Sequence, residues 1–101
     1  MRSRLDLHEA LCEALGSKNV YFSPRSNVKM SYPAIVYSRS NAENVHADNR
    51  VYSRRTAYSV TVIDANPDSL IPERVAELPY TRHVNHFVSE NLNHDIFTIY
   101  I

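Results

Sequence analysis

Apolar side chains recur every four residues near the N-terminus and predict one buried stripe of a helix over residues 4–15. The stripe consists of Leu7, Leu11 and Leu15. Ser3, with Asp6 three residues later, has the spacing of an N-terminal cap, and Gly16 is the residue type that closes a helix in the left-handed conformation. The first predicted element is therefore a helix with both ends marked in the sequence.

Stretches rich in β-branched and aromatic residues predict strands further along the chain. They are residues 20–22, 32–39 and 51–64. In the longest stretch Tyr58, Val60 and Val62 alternate with polar residues, which is typical of a half-buried strand in an antiparallel sheet. Residues 40–50 are polar and irregular, and they form either a long loop or a short extra strand around Val45. If they form a loop, we expect a neighbouring subunit to order it.

A second helix is predicted over residues 70–78. Turn-forming residues from Asn66 to Ser69 precede it and supply its N-cap, and Pro79 ends it. Its buried stripe consists of Ile71, Val75 and Leu78. This helix leads directly into the last part of the chain.

The chain ends in a predicted β-hairpin, in which residues 82–90 pair with residues 95–101 around a turn at 91–94. Opposed residues of an antiparallel pair point to the same face. One register collects five apolar residues on a single face, and it pairs Val84 with Ile101, His86 with Ile99 and Val88 with Phe97.

The other face of this hairpin is also partly apolar, because it holds Phe87, Ile96 and Tyr100. Only one face of a sheet packs on the helices of a two-layer domain. An apolar patch in water risks aggregation, and patches of this kind mark interfaces. We therefore expect these three residues to contact an adjacent subunit, the alternative being a hairpin that lies between both helices.

The predicted elements follow the order α-β-β-(β)-β-α-β-β. A chain of 101 residues fits a single domain, residues 1–101. The fold class is α+β, with a mixed and mainly antiparallel sheet packed against two helices.

The amino-acid composition excludes several classes of function, mainly because residue types that those functions need are scarce. The 11 basic and 11 acidic residues balance. This zero net charge indicates neither a nucleic-acid-binding surface nor a membrane-binding surface, and it permits copies of the chain to pack closely. Gly16 is the only glycine, which argues against a phosphate-binding loop. Cys12, the single cysteine, cannot form a disulfide within the chain and is expected to be buried and unreactive. No apolar run approaches the ~18 residues of a membrane span.

Five histidines raise the question of a metal or an active site. His83 and His86 are three apart, a spacing that puts them on opposite faces of a regular strand, so they are not expected to chelate one ion. His86 and Glu90 share a strand face, a pairing too generic to define a base. We predict no metal, no cofactor and no catalytic residue, and a small enzyme using His83 or His86 stays the alternative.

A local group of arginines lies next to the long polar stretch, and it consists of Arg50, Arg54 and Arg55 with Arg39 nearby. Glu43 and Asp48 dilute its charge. Three interpretations are open: a solvated face, salt bridges to a neighbouring subunit, and direct contact with DNA. We place Arg50, Arg54 and Arg55 with the predicted subunit interface.

Four short motifs follow one another along nearly the whole chain. They are Val20-Tyr21-Phe22-Ser23-Pro24, Tyr32-Pro33-Ala34-Ile35-Val36-Tyr37, Tyr58-Ser59-Val60-Thr61-Val62 and Asn66-Pro67-Asp68. In this order they resemble the small tail-completion or tail-terminator proteins of long-tailed bacteriophages. The motifs are structural rather than catalytic, so the order in which they occur carries the resemblance.

The resemblance implies a structural virion protein, made in the host cytoplasm, that closes into a homo-oligomeric ring, commonly six-fold. Such a ring caps the tail tube and joins it to the head connector, so the implied partners are copies of itself, the tail tube protein and the connector, with DNA passing through the lumen. The chain is short for this family, and its hairpin at residues 91–101 replaces a helix that some relatives use. A head-completion or connector protein is therefore the alternative, followed by a small DNA-binding module.

Overall fold

The computed structural model describes residues 3–23, 30–40, 46–47, 50–51 and 56–101. Within these ranges two helices, α1 (Arg4–Leu15) and α2 (Ile71–Ala76), accompany seven strands. The strands are β1 (Val20–Phe22), β2 (Ala34–Arg39), β3 (His46–Ala47), β4 (Arg50–Val51), β5 (Ala57–Asp64), β6 (Thr81–Ser89) and β7 (Leu92–Tyr100).

Five of the strands form one mixed sheet in the order β1-β2-β5-β7-β6. β1 runs parallel to β2, and every other neighbouring pair in this sheet is antiparallel. β3 and β4 pair separately as a two-stranded ribbon. The α+β class, the mainly antiparallel sheet and the order of the elements are confirmed.

The ends of α1 are fixed by local hydrogen bonds, as the sequence predicts. The Ser3 hydroxyl oxygen accepts from the Asp6 backbone N–H at 3.2 Å. Gly16 has a φ of 82°, and its N–H donates to the Cys12 carbonyl at 2.8 Å. Helix α2 is shorter than predicted, because it begins after Leu70, which makes no side-chain cap hydrogen bond. Ser69, within the predicted turn, accepts from the Ile71 N–H through its hydroxyl oxygen at 3.2 Å.

Both helices lie on the same face of the five-stranded sheet. Buried residues of α1 and α2 pack with residues of β1, β2, β5 and β7 in one apolar cluster, to which β6 contributes no residue. The cluster consists of Leu7, Leu11, Ala14, Leu15, Val20, Ile35, Tyr37, Tyr58, Val60, Val62, Ile71, Val75, Phe97 and Ile99. Tyr58, Val60 and Val62 therefore point to the helices, as their alternation predicts.

The strand predicted over residues 51–64 is shorter in the structure, where β5 starts at Ala57. Arg50 and Val51 instead pair with Ala47 and His46 in the ribbon of β3 and β4. The ribbon thus lies across the boundary between the polar stretch at 40–50 and the strand predicted over 51–64, while residues 41–45, 48–49 and 52–55 lie outside the described residues.

The predicted register of the C-terminal hairpin was wrong. His86 opposes Asp95 rather than Ile99, and Val88 opposes Asn93 rather than Phe97, a slip of four residues. The turn consists of Glu90 and Asn91, with φ of 52° and 64°, instead of residues 91–94. Positive φ at both positions is typical of a two-residue hairpin turn, and this turn sets the register.

Candidate subunit interface

From Asn85 onwards the hairpin keeps the predicted division of its two faces although its register differs. Side chains alternate along a strand, so a shift by an even number of residues leaves each of these residues on its predicted face. Phe97 and Ile99 are buried against the helices. Phe87, Ile96 and Tyr100 point to the opposite face, on which neither helix packs. The alternative of a hairpin enclosed between both helices is therefore not what the structure has.

The residues on this opposite face remain accessible towards the β6 edge. Phe87 is 40% exposed, and its ring stacks on that of His94 with centroids 4.6 Å apart. Ile96 and Tyr100 are half-buried. We call Arg82, Phe87, His94, Ile96 and Tyr100 the hairpin face.

The whole sheet face that bears the hairpin face is poor in charge. Among the residues of the five described strands that point to this side, none is Asp or Glu, and Arg82 carries the only fixed charge. Its polar groups include the hydroxyls of Ser38, Ser59, Thr61 and Thr98. The low charge of this surface matches the core of protein–protein contacts, in which Lys, Glu and Asp are depleted.

β6 is an edge strand, and a bulge interrupts its regular pairing with β7. The pairing with β7 shifts between His83 and Asn85, which leaves Val84 as a bulge that is 55% exposed. A bulge and a charged Arg82 are the usual means by which an edge strand avoids pairing with another chain. The face of the hairpin, rather than its hydrogen-bonding edge, is thus the better contact surface.

The same bulge corrects the prediction for His83 and His86. The extra residue puts both imidazoles on the helix side of β6, on the same face as Asp95. His83 Nε2 lies 3.2 Å from the Asp95 carboxylate, and its ring packs edge-on against Phe97. In the described part of the chain no group of three or more His, Cys, Asp or Glu is placed to hold a metal ion. Glu90 occupies the turn, so it does not share a strand face with His86.

A buried polar cluster that the sequence did not indicate joins α1 to the sheet. The Tyr37 hydroxyl, on a side chain only 1% exposed, lies 2.7 Å from His8 Nδ1 and accepts from Arg4 at 3.2 Å. The Arg4 guanidinium also lies 4.4 Å above the Phe22 ring. Burial raises the pKa of Tyr37 above its ordinary value, while the hydrogen bond from Arg4 acts in the other direction. The cluster fixes the N-terminal half of α1 on β2.

An open cleft of about 440 Å³ lies along one side of α1. It is lined by His8, Glu9, Cys12, Glu13 and Lys18. Cys12 is half-buried rather than fully buried as predicted. Desolvation by burial raises the pKa of its thiol, against a smaller opposing effect of Lys18. The thiol is thus accessible but held in its protonated, less reactive form.

The predicted arginine group cannot be assembled from the described residues. Arg50 is the first residue of β4, and Arg39 is exposed at the end of β2. Arg54 and Arg55 lie outside the described residues. Their assignment to an interface stays a prediction.

The chain matches no protein-family model, no curated protein and no solved structure. Within the described ranges, neither helix has the length and apolar character needed to cross a membrane.

Proposed function

We propose that this chain is a structural subunit that assembles into a ring, in the manner of a phage tail terminator. The order of the four sequence motifs supports the class of protein. The hairpin face supports assembly, because among the described residues it is an apolar surface without a carboxylate, on the side of the sheet opposite α1 and α2.

The hairpin face is the observation that carries this proposal. Fully burying a large apolar side chain contributes roughly 1.5–3 kcal/mol. Phe87 is 40% exposed in the subunit, so covering the rest of it in a contact would contribute on the order of 1 kcal/mol. A domain of this size has a thin margin of stability, and apolar surface left in water adds a risk of aggregation. A partner that covers this face removes that risk.

The partner that we propose for the hairpin face is another copy of the same chain. The net charge is zero, so no overall repulsion opposes their approach. A ring requires contacts between two different surfaces of each subunit, with a rotation that closes. The tail tube protein and the head connector would then meet the two ends of the ring, and DNA would pass through its lumen.

Electron microscopy of the purified protein tests the proposal. We expect annular particles of uniform diameter with an open centre at high micromolar protein concentration. Compact two-fold particles, or none larger than a monomer, would argue against a ring that forms autonomously.

A head-completion or connector role is the second candidate, because the C-terminal hairpin stands where some terminator relatives have a helix. The two roles differ in the particle that the ring binds. Co-sedimentation with isolated tails supports the terminator role, whereas co-sedimentation with DNA-filled heads lacking tails supports the head-completion role.

A further inference from the structure

The helix layer is acidic. Residues 3–15 and 66–78 carry six carboxylates against two guanidinium groups, a surplus of four negative charges. The carboxylates belong to Asp6, Glu9, Glu13, Asp68, Glu73 and Glu77, and the guanidinium groups to Arg4 and Arg74. Because the 11 basic and 11 acidic residues of the full chain cancel, the rest of the chain carries a surplus of four positive charges. The acidic helix layer thus belongs to a chain that is neutral overall.

The two guanidinium groups of the helix layer are already engaged within the subunit. Arg4 contacts the Tyr37 hydroxyl and the Phe22 ring, and Arg74 donates to the Ala14 carbonyl at 3.4 Å. The negative charge of this layer is thus presented mainly by exposed carboxylates. On α1 these include Glu9 and Glu13, which are four residues apart on the same side of the helix. Both line the cleft together with Lys18, so the lining keeps a surplus of one carboxylate over its one lysine.

The charges of these two surfaces distinguish between the ways in which two copies can meet. If hairpin face packed on hairpin face, no opposite charge would meet Arg82, which carries the only fixed charge among the described strand residues of that sheet face. If helix layer packed on helix layer, acidic surface would meet acidic surface. A head-to-tail contact brings Arg82 of one copy to the acidic layer of the next, and complementary charge favours that arrangement. It is also the type of contact that a closed ring requires.

We propose that the hairpin face of one copy docks on the outer side of α1 of the next copy, with Phe87 directed at the cleft and Arg82 at Glu9 and Glu13. This inference rests on the proposed ring. The cleft, at about 440 Å³, is large enough to receive an aromatic ring. Leu5, which is 64% exposed and one turn before Glu9, adds an apolar contact beside the carboxylates.

Two variants, each with one surface disabled, test this arrangement. The pair Arg82→Gln and Phe87→Ser disables the hairpin face and leaves α1 intact. The pair Glu9→Lys and Glu13→Lys disables α1 and leaves the hairpin face intact. In a head-to-tail contact each variant alone is a monomer, whereas an equimolar mixture forms a particle of two chains that grows no further. Native mass measurement reads this directly, after circular dichroism has shown that both variants are folded.

Other outcomes overturn the inference. If the α1 variant alone still forms particles through its hairpin face, or if the mixture stays monomeric, the contact is not head-to-tail between these surfaces. Glu73→Lys with Glu77→Lys on α2 is the matched control, and it should assemble as the wild type does. If the wild type forms rings and the disabled variants form them equally well, this inference fails and the proposed function stands. If the wild type never associates, the proposed function fails as well.

Discussion

At the scale of single residues, Tyr37 shows how a polar group is accommodated in this core. Its hydroxyl accepts from the Arg4 guanidinium at 3.2 Å and lies within hydrogen-bond distance, 2.7 Å, of His8 Nδ1. Such hydrogen bonds contribute about 1 kcal/mol each, whereas leaving one member unsatisfied costs more. In the described part of the chain no buried side-chain nitrogen or oxygen lacks a hydrogen-bond partner.

Tyr37→Phe should change the pH dependence of stability. Burial raises the pKa of Tyr37 from its ordinary value of 10.0, so the folded chain holds this proton more tightly than the unfolded chain. Its contribution is fully present below the unfolded pKa and is lost as the pH rises through the folded pKa. At about pH 7 we expect the variant to lose about 1–2 kcal/mol of unfolding free energy. Urea unfolding towards about pH 11 should show a shallower loss for the variant, and equal slopes would contradict the assignment.

Gly16→Ala isolates the strain at the end of α1. The φ of Gly16 is 82°, and a Cβ added there has no atom within 4 Å, so the cost is purely conformational. We expect the free energy of unfolding to fall by about 1–2 kcal/mol. Gly16→Asn should cost less, because Asn tolerates this conformation better. Identical stability of Gly16→Ala and wild type in urea unfolding would be inconsistent with a left-handed cap.

At the scale of elements, β6 offers a matched pair of neighbouring apolar residues on opposite faces. Phe87→Ser should leave the subunit folded, with a change in unfolding free energy within about 1 kcal/mol, and should abolish assembly. Val88→Ser alters a side chain that is 61% exposed on the helix side, and it should assemble as the wild type does. Light scattering combined with urea unfolding separates the two effects. If Phe87→Ser unfolds the subunit, Phe87 belongs to the core.

The hairpin also shows which features of this fold a sequence reveals. The ends of α1 are set by neighbours within four residues, and Ser3 and Gly16 marked both of them correctly. The register of β6 on β7 depends on a turn of Glu90 and Asn91, which lacks the glycine that usually signals such turns. The turn was therefore predicted too far along the chain. Many apolar pairs remained plausible after that error, so the pattern alone did not correct it.

Whether the predicted site residues kept their face depended on whether the sequence error shifted the strand by an even or an odd number of residues. A slip of four residues is even, so Phe87 stayed on the same side as Ile96 and Tyr100. The bulge at Val84 adds a single residue and is odd, so it reversed the expected relation between His83 and His86. The sequence carried no sign of this bulge. The predicted face of a strand residue is thus still correct after a register shift by an even number of residues, and it is wrong beyond a single inserted residue.

At the scale of the whole molecule, the two layers differ in chemistry. The helix layer is acidic on its outside, and the sheet face opposite it has no carboxylate in the described strands. A subunit with two unlike sides associates head to tail more readily than face to face. The fold and the charge pattern therefore favour the same kind of assembly.

Cys12 provides a reporter for that assembly, because it is the only thiol and it lines the cleft on α1. We expect alkylation of Cys12 to be slower in assembled particles than in monomers, since the neighbouring hairpin face would cover the cleft. The Phe87→Ser variant should be alkylated at one rate at every protein concentration. Equal rates in assembled and monomeric wild-type protein would mean that the contact lies elsewhere.

The most direct test of the central claim, that this chain is a ring-forming subunit, is the native mass of the wild-type protein at high micromolar concentration. The account predicts one discrete species whose mass is a whole multiple of the 11.6 kDa chain, with six chains for the ring order that the resemblance implies. A sharp monomer mass at that concentration would contradict it.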